Sequence, residues 1–206
     1  HRRCARSTDL VHWERFENNL TRDPASLLGG IWEAWPKQPE NPALEGNTWA
    51  PDVIWNDVMR KWCMYLSVNG HEFRSVIVLL TADRLDGDWT YVGPVVYSGF
   101  NVDNVGRTDV PRVLGDEAAH GDLSRYASLK DTRINAIDAA PIRCDHGELW
   151  MSFGSWFGGI WMFKLDPETG LRDYSVRYPL VKDSSDPYYG VKVAGGYWNS
   201  GEGSYF

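Results

Sequence analysis

Three times along this chain an acidic residue stands at the head of a short apolar run: Asp52 in TWAPDVIW (48–55), Asp138 in NAIDAAPI (135–142) and Glu202 in GEGSYF (201–206). Two other pieces recur with them. One is a polar turn leading into an aromatic-rich run, Asn56-Asp57 before 62–66 and Asp145-His146-Gly147 before 150–153. The other is a polar turn closing a strand: STDLVHWERF (7–16), TADRLDGDWTYV (81–92) and KLDPETGLRDYSV (164–176). A recurrence on this scale limits the fold more than any single motif does.

Asp52 and Asp138 are 86 positions apart, and Asp138 and Glu202 are 64 apart, so the unit is irregular and averages near 75 residues. Apolar runs of four to seven residues bounded by Gly, Asp, Asn or Pro predict strands over 53–55, 61–68, 75–81, 139–143, 149–154 and 159–165. Long helical periodicity is almost absent, so the chain reads as all-β. Each unit suits four strands with long loops, the content of one β-propeller blade, with the acid opening the innermost strand and pointing at the axis. On this reading the chain holds the end of one blade, whole blades from about Trp49 and Asn135, and the first strand of a fourth. That is an arc of a ring, and a propeller closes to hide its edges. An open β-sandwich is the alternative the spacing allows.

Composition narrows function. The net charge is -7 and there is no Lys/Arg run, which argues against nucleic acid, because phosphate binding is largely a matter of cations. No stretch of 18 apolar residues exists, so a membrane-spanning helix is not expected. The opening HRRCARSTDL has neither a Met nor the apolar segment of a signal peptide, and upstream sequence is expected. Cys4, Cys63 and Cys144 are odd in number and widely spaced, which predicts free, buried thiols rather than a disulfide framework or zinc site. His1, His12, His71, His120 and His146 show no metal-ligand spacing. The 11 Trp, 10 Tyr and 7 Phe are expected mostly in packing, Trp32, Trp35, Trp55, Trp62, Trp150 and Trp161 among them.

Two carboxylates facing one channel are the minimal apparatus of glycoside hydrolysis: one protonates the leaving oxygen and another activates water. Asp138 and Glu202 are the candidates. Both sit among small uncharged residues, a setting that raises a carboxyl pKa toward what a general acid needs. The glycines flanking Glu202 leave room for a ligand. Equally open at this stage, both acids cap a strand start. Residues 100–130 are long and polar, and read either as a wall of the substrate cleft or as a solvated insertion.

The strings WAPDV (49–53), NAID (135–138), GSWFGGI (154–160) and GEGSY (201–205), with the turn ADRLDGDW (82–89), resemble glycoside hydrolase family 43, and within it the endo-1,5-α-L-arabinanases. The similarity runs over nearly the whole chain. It implies a five-bladed β-propeller, residues 1–206 being part of one catalytic domain, and inverting hydrolysis of α-1,5-linked arabinofuranosyl bonds in arabinan. Exo-acting α-L-arabinofuranosidase or β-xylosidase action, and a non-catalytic carbohydrate-binding propeller, are the alternatives.

The resemblance further implies that Glu202 is the general acid and that Asp138 stays ionised to raise the pKa of Glu202 and to orient it. The general base Asp of the family lies on the first strand of the first blade, before this sequence begins, so the 206 residues alone are expected to be inactive. Asp9 is expected in a surface turn and does not replace it. Asn135, Ala136, Ile137, Ser155, Trp156, Phe157 and Gly70 are implied at the sugar site, with Trp49 offering a ring face; Asp52 is expected to be structural. A calcium or similar ion in the central channel would be held by a His beyond Phe206. Ser204 departs from the family's usual EGPY. An extracellular or cell-envelope location is expected because polymeric arabinan does not cross membranes.

Overall fold

The computed structural model describes residues 4–28, 30–31, 47–69, 74–127, 134–196 and 201–205. The first full sheet is an antiparallel meander of β3 (Thr48–Asn56), β4 (Lys61–Asn69), β5 (Ser75–Ala82) and β6 (Thr90–Tyr97) in that order. β5 is an unbroken apolar run and every residue of it is buried, as expected for a strand covered on both faces. β3, by contrast, is mostly half-exposed or exposed. Asn56 builds the β3–β4 turn: its side-chain oxygen accepts from the N–H groups of Val58 and Met59, both at 3.0 Å.

The second sheet contains β7 (Ala140–Arg143), β8 (Leu149–Phe153) and β9 (Ile160–Leu165), then β11 (Gly190–Ala194) and β10 (Ser185–Asp186) outside them. It departs from the four-strand unit. After β9 the chain turns tightly at 166–171, with the Gly170 N–H donating to the Asp166 carbonyl at 2.7 Å. It then runs as coil before a short hairpin supplies the two outer strands. Before the first sheet, β1 (Cys4–Arg6) and β2 (Glu14–Phe16) form a separate ribbon. The repeat is therefore real at the inner strands and loose at the outer ones.

The two full sheets lie side by side with β3 against β7, the placement expected of the innermost strands of neighbouring propeller blades. Between the sheets, the buried Tyr65 hydroxyl donates to the Gly170 carbonyl at 2.8 Å, and the Asn56 amide donates to the Pro167 carbonyl at 2.9 Å. Arg143 pairs with Asp57.

The segment after β6 differs from the expected structureless loop. It carries short helices at Val110–Leu114, Asp116–His120 and Ser124–Ala127, and Val110, Ala118, Leu123 and Tyr126 are buried in the main core. A solvated insertion is set aside by that burial. Sequence reading missed the helices because each is only four or five residues long, too short to show a period. Their anchor is polar. Asp109 accepts from the hydroxyls of Tyr188 at 2.5 Å and Tyr174 at 2.9 Å, while the buried Arg172 lies over the Phe163 ring at 3.9 Å. Phe100 stacks on Tyr126 with centroids 4.6 Å apart.

The cysteines are free. Cys63 is buried, and burial pushes its thiol up to about 11; Cys4 and Cys144 are half-buried rather than buried. Trp161 is core, and Trp55 and Trp62 are a half-buried edge-to-face pair 5.4 Å apart. Trp32, Trp35, His1 and His71 lie outside the described residues. Asp9 sits in a surface turn as expected, its carboxylate accepting the Val11 and His12 N–H groups at 2.9 and 2.8 Å.

Candidate active site

The residues leading into β7 are not yet strand. Ala136 and Ile137 are buried, Asp138 is half-buried with φ 56°, and the Ile137 carbonyl accepts the Gly154 N–H at 2.9 Å. This left-handed backbone turns Asp138 out of the strand path, and Asp tolerates it better than most residues. The buried hydroxyls of the first sheet meet this segment. Ser67 Oγ accepts the Asp138 N–H at 3.1 Å, and Ser98 Oγ accepts the Ala136 N–H at 2.9 Å.

The β8–β9 connection brings in the second group of expected site residues. Gly154 has φ 110°, and a Cβ there would stand 2.4 Å from the Gly159 carbonyl oxygen, so only glycine fits this turn. Ser155 is buried, and Trp156 is half exposed with φ 56°. The Trp156 N–H donates to the Gly201 carbonyl at 2.7 Å, tying residues 201–205 to the turn. That segment is not a strand, contrary to expectation, because its backbone bonds to a turn rather than to a ladder. The Trp156 indole N–H donates to Glu202 Oε2 at 2.5 Å, and Ser155 Oγ lies 3.5 Å from the same oxygen.

Asp138 and Glu202 therefore share one site. The Asp138 carboxyl is pushed above the ordinary carboxylate range first by burial and further by the negative charge of Glu202, while a hydrogen bond from the Gly203 N–H pulls it down. A raised Asp138 carboxyl agrees with the expectation from its small, uncharged sequence neighbours, and Asp138 is the more buried of the two acids. The flanking glycines do leave space, since a Cβ at Gly201 or Gly203 would meet nothing within 4 Å. Ser204, at the position where the resemblance expects Pro, shares a hydrogen bond with Ser152 at 2.8 Å.

Trp49 pairs in register with Ser67, which places it on the strand beside the Asp138 contact, and its side chain is 44% exposed, so its ring is open to a ligand. Asp52 lies inside β3 beyond a bulge and faces Tyr65 in register. Asn135 is half-buried, and its side-chain oxygen has no hydrogen-bond partner among the described residues. Phe157 lies in the short turn of Trp156–Gly158; Gly70 lies outside the described residues. A cavity of about 390 Å³ is lined by residues that include Gly158 of that turn, Trp161, Arg125 and Tyr126. Among the described residues no group of three or more His, Cys, Asp or Glu is placed to hold a metal ion, and no helix is long and apolar enough to cross a membrane.

Two sheets set side by side, with the carboxylates of Asp138 and Glu202 close enough to interact, are the arrangement of adjoining blades in a β-propeller. No protein-family model matches the chain. The chain is 31% identical over 205 residues to an extracellular endo-α-(1→5)-L-arabinanase of Thermotoga petrophila, and 26% identical over 205 residues to a second such protein from Bacillus subtilis. Both matches span all of this chain but only 38% and 37% of those proteins. The crystal structure of an endo-1,5-α-L-arabinanase from Thermotoga petrophila superposes with a TM-score of 0.64 at 26% identity, over 98% of this chain and 39% of that one. A glycoside hydrolase family 43 protein from Bacillus licheniformis gives 0.61 at 25% identity, over 93% of this chain and 36% of that one. The chain is thus similar to part of the arabinanases of glycoside hydrolase family 43, spanning less than two fifths of their length, and its mostly β fold matches part of a five-bladed propeller.

Proposed function

We propose that the protein to which this chain belongs hydrolyses α-1,5-linked L-arabinofuranosyl bonds within arabinan, with inversion, outside the cell. In blade terms, the chain supplies the outer end of one blade, two whole blades and the entry to another. The observation that carries the reading is the Glu202 carboxylate held by the Trp156 indole N–H beside Asp138.

In this reading Glu202 gives its proton to the glycosidic oxygen as the bond from that oxygen to the anomeric carbon breaks. A water activated by a base outside these 206 residues attacks the anomeric carbon from the opposite face, which inverts its configuration. Asp138 does not touch the leaving oxygen; its charge state is coupled to that of Glu202, and it fixes where the acid stands. Trp49 and Trp156 offer ring faces to the furanose C–H groups, Asn135, Ala136, Ile137 and Ser155 shape the floor, and Phe157 is assigned to the site on the sequence resemblance alone. Gly70 is assigned to the border of the cleft on the sequence resemblance alone.

Product analysis on linear 1,5-arabinan tests the mode of action of the full-length protein. Oligosaccharides of mixed length in the first minutes support internal cleavage. Arabinose alone from the outset overturns it in favour of exo action, and sugar binding without products overturns hydrolysis itself.

A further inference from the structure

We propose that Ser67 and Ser98, two fully buried serines of the first sheet, are positioning residues that set Asp138 by gripping alternate N–H groups of the segment before β7. This rests on the assignment of Asp138 to the active site. The contacts are specific. Ser67 on β4 accepts from the N–H of Asp138 itself, and Ser98, just past β6, accepts from the N–H of Ala136. Both serines have no exposed surface, so no water replaces them as partners.

The site needs such a clamp for a physical reason. Asp138 has left-handed backbone geometry, which is not its resting conformation and persists only where the surroundings over-determine it. Within its own sheet the Gly154 N–H holds only the preceding Ile137 carbonyl, and β7 begins two residues after Asp138, so the Asp138 N–H is held from outside that sheet. The neighbouring sheet supplies that hold, and Ser98 is itself fixed: its N–H donates to the Ser75 carbonyl at 2.8 Å, and its oxygen lies 3.3 Å from the Ser75 N–H. The charge facing Asp138 comes from Glu202 on one side; Ser67, packed on the other, is uncharged. A serine is small enough for two sheets to approach and still offers an acceptor, which alanine does not.

The test uses the full-length protein with Ser67→Ala, Ser98→Ala and a control, Ser185→Ala. Ser185 is another buried serine, whose hydroxyl donates to the Pro179 carbonyl at 2.6 Å, away from the acids. The titration of the Asp138 carboxyl is followed by carbon-13 NMR, and kcat and KM are measured on linear arabinan. Each clamp variant is expected to move the Asp138 titration toward the ordinary Asp range and to lower kcat about tenfold to a hundredfold with little change in KM. The control moves neither. Ser67→Cys keeps the volume and serves where the alanine variant fails to fold; its weak acceptor predicts a smaller shift in the same direction.

An unchanged Asp138 titration in the serine variants overturns the clamp whether or not arabinan is the substrate. A moved titration in a protein whose parent does not hydrolyse arabinan upholds the clamp and instead overturns the functional reading.

Discussion

The indole N–H of Trp156 donates to Oε2 of Glu202 at 2.5 Å across 46 residues of sequence. The backbone closes the same link, since the Trp156 amide also donates to the Gly201 carbonyl. A side chain that is half exposed thus spends its one polar hydrogen on a carboxylate, a charge-assisted bond that fixes where that carboxylate points.

Trp156→Phe keeps most of the ring and deletes this hydrogen. Because both partners are exposed, thermal stability is expected to change by less than about 0.5 kcal/mol. The loss is expected in kcat, about tenfold, with KM on arabino-oligosaccharides nearly unchanged. Steady-state kinetics beside a melting scan check it; a large drop in melting temperature with unchanged kcat would assign Trp156 to packing.

The Asp138 carboxyl is raised by burial and by the Glu202 charge, so folding favours its protonated form. Its contribution to stability is fully present below the unfolded-state value of about 4 and is lost as pH rises through the higher folded value. Asp138→Asn cannot ionise and also tolerates the left-handed backbone. It is expected to melt above the parent at pH 7, with the difference closing below about pH 4. Melting scans across pH check this; a difference independent of pH would contradict it.

Gly154 carries the turn that delivers Ser155 and Trp156, and its N–H also donates to the Ile137 carbonyl. Gly154→Ala forces a Cβ against the Gly159 carbonyl oxygen at φ 110°. Denaturant unfolding is expected to show a loss of about 2 kcal/mol or more, with activity falling further than stability because the turn displaces Trp156.

Tyr65→Phe removes the buried hydroxyl that bonds the Gly170 carbonyl across the two sheets. A buried acceptor is left without its donor, at a cost of about 1–2 kcal/mol. Equilibrium unfolding measures it, and a neutral result would mean that the sheets are not joined at this point.

The meander strands were legible because their residues carry a local pattern: SVIVLLTA is an unbroken apolar run that suits a strand covered on both faces, and the polar turns before 62–66 and 150–153 made hairpins. Asp138 and Glu202 stood out in the sequence as recurring acids beside apolar runs, and GSWFGGI through its resemblance to a known family; that Glu202 lies in a segment bonded to a turn rather than in a strand did not show. The short helices after β6 were not, because their reason for existing is the distant Asp109, Arg172 and Tyr188 cluster. Ser67 and Ser98 were equally hidden. Nothing local distinguishes a serine that accepts from the next sheet from one that does not, and the contact from Ser67 spans 71 residues.

The most direct test of the central claim is the rate of linear arabinan hydrolysis by the full-length protein and by its Glu202→Gln variant, which keeps the shape of the side chain and removes its proton-donating carboxyl. The predicted result is a kcat lowered at least a hundredfold, the scale of general acid catalysis, with arabino-oligosaccharide binding retained. Hydrolysis by Glu202→Gln at the parent's rate would contradict the account.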